Sequence, residues 1–120
     1  MSGPPLLDRA VLDDLCESIG LAGTRSVIDL FIDESRGYLA TIAEAAAQPA
    51  DAARCDRARR AAHSLKSGAG QIGAAAMAVA AAAVERAAAA AAPDLPQAAA
   101  ALDQCAVETR AALEQFLAKE

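Results

Sequence analysis

Apolar residues recur along this chain at three- and four-residue intervals, with no run of strict apolar–polar alternation. That period belongs to helices with one buried face rather than to strands. A short first helix is expected from about Asp8 to Ile19, with Leu12 and Leu15 facing inward; Pro4 and Pro5 precede it, and Gly20 and Gly23 follow it. Thr24 is placed to cap a long second helix reaching about Ala47, whose inner stripe is Val27 with Ile28, Phe31, Ser35, Leu39 and Ile42. Gln48-Pro49 ends that helix, and Asp51 caps a third that runs to about Ile72, where Gly73 marks a turn. A fourth helix spans about Ala75 to Ala91, with Met77, Ala80 or Ala81, Val84 and Ala88 on one face, and Pro93 breaks it. The fifth runs from about Leu95 to Leu117, with Leu95, Ala98, Leu102, Cys105, Thr109, Leu113 and Phe116 on one stripe. Pro96 falls in its first turn, where a missing N–H costs nothing. Short loops between long helices predict an all-α fold: an antiparallel up-down four-helix bundle, with the short N-terminal helix laid across one end. The 120 residues fit one such domain, residues 1–120, with its ordered core over about residues 6 to 117.

The third helix carries the only histidine, His63. At about 100° per residue, His63 lies roughly 200° round the helix from Leu65 and roughly 180° from Ile72. Ala58, Ala61, Ala62 and Ala69 share the apolar side. Around the imidazole, within about 60°, come Asp56, Arg59, Arg60, Lys66, Ser67 and Gly70. The core stripe therefore faces one way, and a histidine with flanking cations and very small residues faces the other. This is a surface suited to docking. Asp56, about two turns back, is placed either to orient the imidazole or to sit solvated among the arginines. Gly68 costs about 1 kcal/mol against alanine inside a helix, which a close backbone approach or a loosened turn would explain. Gln71 is placed to hold the helix end by hydrogen bonding.

Composition narrows the field. Alanine supplies 36 residues, while Phe31, Phe116 and Tyr38 are the only aromatics, so the core rests on close helix approach rather than aromatic bulk. No run of apolar residues long enough to span a membrane lacks charges: Glu85 and Arg86 interrupt the Ala74 to Ala92 stretch. The start, Met1 to Pro5, has no basic region, so no signal peptide is expected. Cys16, Cys55 and Cys105 are far apart and lack metal-site spacing, which predicts buried, reduced thiols in a cytoplasmic protein and no metal site. The net charge of −5 argues against nucleic acid as a partner. Yet Arg54, Arg57, Arg59, Arg60 and Lys66 place five of the eleven basic residues on the His63 helix, either as a solvated face or as a patch for an acidic partner. No Gly-rich phosphate loop, second histidine or triad is present, so the chain is expected to need a phosphoryl donor rather than to phosphorylate itself from ATP.

The run His63, Leu65-Lys66, the small residues Ser67 to Gly70, Gln71-Ile72 and Gly73-Ala74 resembles the histidine-containing phosphotransfer (HPt) family of two-component phosphorelays. The likeness extends to Val84-Glu85 and, upstream, to Leu30-Phe31-Ile32-Asp33-Glu34, and so covers nearly the whole chain. One departure is Ser67, where the family commonly has glycine directly after the lysine. The resemblance implies a phosphocarrier rather than an independent kinase. His63 would accept a phosphoryl group from the aspartate of one receiver domain, that of a hybrid histidine kinase, and pass it to the receiver of a response regulator. Lys66 would act beside it as a point charge on the phosphate oxygens and Arg59 and Arg60 as guanidinium forks on the same oxygens, the two arginines also belonging to the face on which the partner docks. Ser67 and Gly70 would leave room for the partner's backbone. The chain itself would need no cofactor, with Mg²⁺ held by the receiver, and would work as a monomer with no membrane contact. Two other readings are weighed beside this one: a non-catalytic bundle whose basic face binds an acidic protein, and a small enzyme with His63 as general base, which would need a ligand-sized pocket.

Overall fold

A computed structural model describes residues 4–119, all of whose regular structure is helical. Met1 to Gly3, on which the signal-peptide expectation partly rests, lie outside the described residues, as does Glu120. The helices are α1 (Arg9–Ala47), α2 (Ala52–Gln71), α3 (Ala75–Ala89) and α4 (Leu95–Lys119). α2 packs against α1 and α3, and α4 closes the ring against α3 and α1. Among the described residues no helix is long and apolar enough to cross a membrane.

Local sequence sets most of the helix ends. Asp8 caps α1, its Oδ1 accepting from the N–H groups of Ala10 at 3.1 Å and Val11 at 3.4 Å. Asp51 caps α2 as expected, accepting from the Arg54 N–H at 3.0 Å. α2 ends in a Schellman turn: the Ala74 N–H reaches the Ala69 carbonyl at 2.8 Å, around Gly73 at φ 75°. Gly73 is required for a second reason. Its carbonyl accepts from the Asp8 N–H at 2.7 Å, and a Cβ placed on it would sit 2.8 Å from the Asp8 carbonyl oxygen. The start of α1 is thereby fastened to the α2–α3 turn. α3 closes with the same bonding pattern, Ala92 N–H to the Ala87 carbonyl at 2.9 Å, but the left-handed position is held by Ala91 at φ 48°. This turn is why α3 stops at Ala89 rather than at the expected Ala91.

The N-terminal region departs from expectation at one cap. α1 is two helical segments joined at Gly20 (φ 77°, ψ 169°), a region that glycine alone enters readily, so the chain breaks where the short first helix is expected to end and the second segment follows without a loop. Thr24 is not a cap. It is fully buried, and its Oγ1 donates to the Gly20 carbonyl at 2.9 Å, the bond a threonine makes inside a helix. Gly20 supplies the turn itself, so helix resumes at once and no downstream cap is needed.

Leu12, Ile28, Ile42, Leu65, Met77, Val84, Leu102 and Leu113 fill the core, faced by fully or nearly fully buried alanines such as Ala58, Ala62, Ala69 and Ala81. Ile28 rather than Val27 takes the core position on α1; Val27 is 38% exposed. The spacing alone left these neighbours competing, and buried Thr24, Ser35 and Ile42 fix the register in favour of Ile28. Ser35 satisfies its hydroxyl on the Ile32 carbonyl at 2.7 Å. Cys55 is buried as expected, but Cys16 and Cys105 flank their helices' inner faces and are only half-buried; all three are free thiols.

Candidate functional site

Leu65 and Ile72 are buried at 1% and 2% exposure and pin one face of α2 into the core. Rotation round the helix then carries His63 outward, and its side chain is 59% exposed. Ser67 and Gly70 are exposed on the same side, and space around Gly70 is open: a Cβ placed there would meet nothing within 4 Å. Gly68 turns the other way. A Cβ on it would lie 3.1 Å from the Phe31 ring, so α2 passes close to α1 there. Of the two expected explanations, the close approach, here to Phe31 of α1, and not a loosened turn, accounts for the glycine.

α3 brings the residue that organises the site. Val84 is fully buried, and the next residue, Glu85, emerges at the α2–α3 seam with its side chain 21% exposed. One carboxylate oxygen lies 2.9 Å from His63 Nδ1, and the other lies 2.8 Å from Lys66 Nζ. His63 and Lys66, three residues apart on α2, are thus bridged by one carboxylate from the neighbouring helix. Lys66 holds the Glu85 carboxyl below its ordinary value of 4.5; partial burial opposes this shift, and the His63 contact adds to it. Glu85 is accordingly an ionised acceptor at neutral pH. An ionised carboxylate has no proton to donate, so Nδ1 is the donor to Glu85, and in the neutral ring Nε2 is the nitrogen with the lone pair.

Asp56 does not orient the imidazole. Its oxygens accept from Arg59 Nη2 at 2.9 Å and Arg60 Nη2 at 2.8 Å, which holds its carboxyl below the usual range. Arg59 and Arg60 therefore stand near His63 already engaged by their own helix rather than as free forks. Such exposed pairs are weak and leave the guanidinium groups able to engage another anion. Gln71 is exposed, and its side chain makes no hydrogen bond among the described residues.

Glu85 was missed as a site residue because sequence spacing cannot rank contacts between different helices. A signal was present: Glu85-Arg86 are the only charges in the Ala75–Ala89 helix, and a carboxylate beside a core valine has few places to go.

The family model described as Hpt domain matches residues 26–119. The chain belongs to the Hpt-domain family. Its role is histidine phosphotransfer in a two-component phosphorelay, and Hpt proteins work with receiver domains. The fold is similar to the crystal structure of histidine-containing phosphotransfer protein B from Pseudomonas aeruginosa PAO1, with a TM-score of 0.82 and 24% identity. That likeness covers 98% of this chain and 99% of the other, including the segment before residue 26 that the Hpt model does not reach. No curated protein sequence matches the chain.

Proposed function

We propose that His63 is the phosphoacceptor of this Hpt domain and that Nε2 is the atom that carries the phosphoryl group. The observation that carries this reading is the Glu85 bridge, with Nδ1 at 2.9 Å and Lys66 Nζ at 2.8 Å from its two oxygens. In the transfer, the Nε2 lone pair forms the N–P bond while the P–O bond to the donor aspartate breaks, and that electron pair stays on the leaving carboxylate. The ring becomes more positive as the bond forms, and the Glu85 carboxylate at Nδ1 opposes that charge. Lys66 stands one helical turn from His63 and offers its ammonium to the phosphoryl oxygens. Arg59 and Arg60 contribute positive potential to the docking face, and Ser67 and Gly70 leave space for the receiver's backbone.

The partners this reading assigns are the receiver domain of a hybrid histidine kinase as donor and that of a response regulator as acceptor. Mg²⁺ belongs to those receivers; this chain contributes the imidazole and its positioning. The protein acts as a cytoplasmic monomer, built as an antiparallel up-down bundle with the segment before Gly20 as its additional N-terminal helix. Exposure of His63 favours docking over general-base chemistry on a small substrate, since His63 lines neither the groove between α1 and α4 nor the cavity beside Cys55 and Ala88. The test is label uptake from a phosphorylated receiver. The parent chain should take up label in an acid-labile, alkali-stable bond, and His63→Gln should fold yet remain unlabelled. Equal labelling of both would end this reading.

A further inference from the structure

A second feature lies between α1 and α4: a groove of about 320 Å³ whose lining includes none of His63, Lys66 and Glu85. Met77 and Leu113 form a buried apolar floor, with Ile32 and Leu39 on one wall and Val107 on the other. Val107 is 67% exposed, more than any other large hydrophobic residue among those described. Ligand sites occupy about 300–1,000 Å³, so the groove suits a body of roughly two fused rings or a short alkyl chain.

The charges at its rim select the ligand. Arg36 enters from α1 and Arg110 from α4. Each is loosely paired. Arg36 Nη1 is 3.8 Å from Asp33, with both side chains more than half exposed, and Arg110 meets Glu114 only through Nε, at 3.3 Å. A guanidinium has five N–H donors, so both retain donors for an oxyanion. Asp103 also lines the groove and forms no ion pair with a described residue; burial pushes its carboxyl up. We propose that this groove binds an amphiphilic organic anion, its apolar body against Ile32, Leu39 and Val107 and its acid group between Arg36 and Arg110. Phe31 lines the same groove and also meets α2 at Gly68, between Ser67 and Gly70, so an occupant touches the residue that packs beneath the phosphotransfer helix.

The test uses 8-anilinonaphthalene-1-sulfonate, an apolar anion that fluoresces when taken out of water, beside its uncharged relative N-phenyl-1-naphthylamine. The sulfonate should bind one saturable site and shift the Gly68 amide resonance. Arg36→Gln and Arg110→Gln should each weaken it by about tenfold, the worth of one charge-assisted contact. Asp103→Asn should strengthen it by about threefold, because a repelling charge is removed. The neutral dye should bind more weakly than the sulfonate and respond to none of the three changes. No binding, equal binding of both dyes, or indifference of the sulfonate to both arginine variants overturns the proposal. Phosphotransfer by His63 stands whichever result is found.

Discussion

Glu85 of α3 accepts a hydrogen bond from His63 Nδ1 of α2 at 2.9 Å while its other oxygen holds Lys66 at 2.8 Å. The contact spans the α2–α3 seam, so the tautomer of the imidazole depends on how two helices pack. Glu85→Gln should therefore fold but transfer slowly. A glutamine amide can accept from Nδ1–H or donate to bare Nδ1, so both tautomers become populated and Lys66 loses its anchor. The expected loss in single-turnover rate from a phosphorylated receiver is about tenfold to a hundredfold, by analogy with carboxylates that orient a metal-bound imidazole. Nitrogen chemical shifts of the ring should move from the Nδ1–H pattern toward a mixture. An unchanged rate with an unchanged tautomer would remove Glu85 from the mechanism.

Acid should dissolve the same bridge. The folded state holds the Glu85 carboxyl below its ordinary 4.5, mainly through Lys66. A depressed carboxyl contributes stability that is fully present above its unfolded value and is lost as pH falls through the folded one. Asp51 and Asp56 are depressed in the same sense, so the parent's acid sensitivity is a sum over several groups. The informative quantity is the difference between parent and Glu85→Gln in denaturant midpoint. It should shrink as pH falls below about 4.5, where the Glu85 carboxylate begins to take up its proton. A difference that stays constant into stronger acid contradicts the ionised bridge.

Ser67 and Lys66 should separate docking from chemistry. Ser67→Arg puts bulk on the face where a receiver must bring its aspartate to the imidazole. About 1 Å of misplacement costs roughly a hundredfold, so transfer should fall by at least about tenfold. As an exposed change it should alter stability by no more than about 0.5 kcal/mol. Lys66→Ala should leave receiver affinity largely intact while slowing transfer. Affinity by titration and rate by rapid quench, measured on both variants, check the division. Parental transfer by a folded Ser67→Arg chain would mean that the partner approaches over another surface.

The two Schellman turns offer a matched pair of stability changes. Gly73→Ala places a Cβ at φ 75° and 2.8 Å from the Asp8 carbonyl oxygen, so it should cost about 1–3 kcal/mol and loosen the start of α1. Ala91→Gly removes a Cβ from φ 48° and should stabilise the chain by about 0.5–1 kcal/mol. Chemical denaturation of the two variants should move in opposite directions.

These turns also show which features could be read from sequence. Caps and stops written in one or two residues, such as Asp51, Gly73 and Pro96, were legible because the chemistry is local. So was the outward rotation of His63, which needs only helical period and the inward pull of Leu65 and Ile72. Thr24 misled because a threonine after glycines satisfies both a capping pattern and a buried back-bond to Gly20, and only tertiary burial chooses between them. Glu85 and the Gly68–Phe31 contact depend on which helix faces which, at ångström register. Periodicity within a single helix does not contain that information.

The central claim is that His63 Nε2 receives the phosphoryl group. Phosphorus-coupled proton–nitrogen NMR on protein labelled by a phosphorylated receiver tests it most directly. The expected result is one phosphoramidate, with phosphorus coupled to Nε2 of His63 and the Nδ1 proton retained toward Glu85. Phosphorus on Nδ1, or on a carboxylate elsewhere in the chain, would contradict the account.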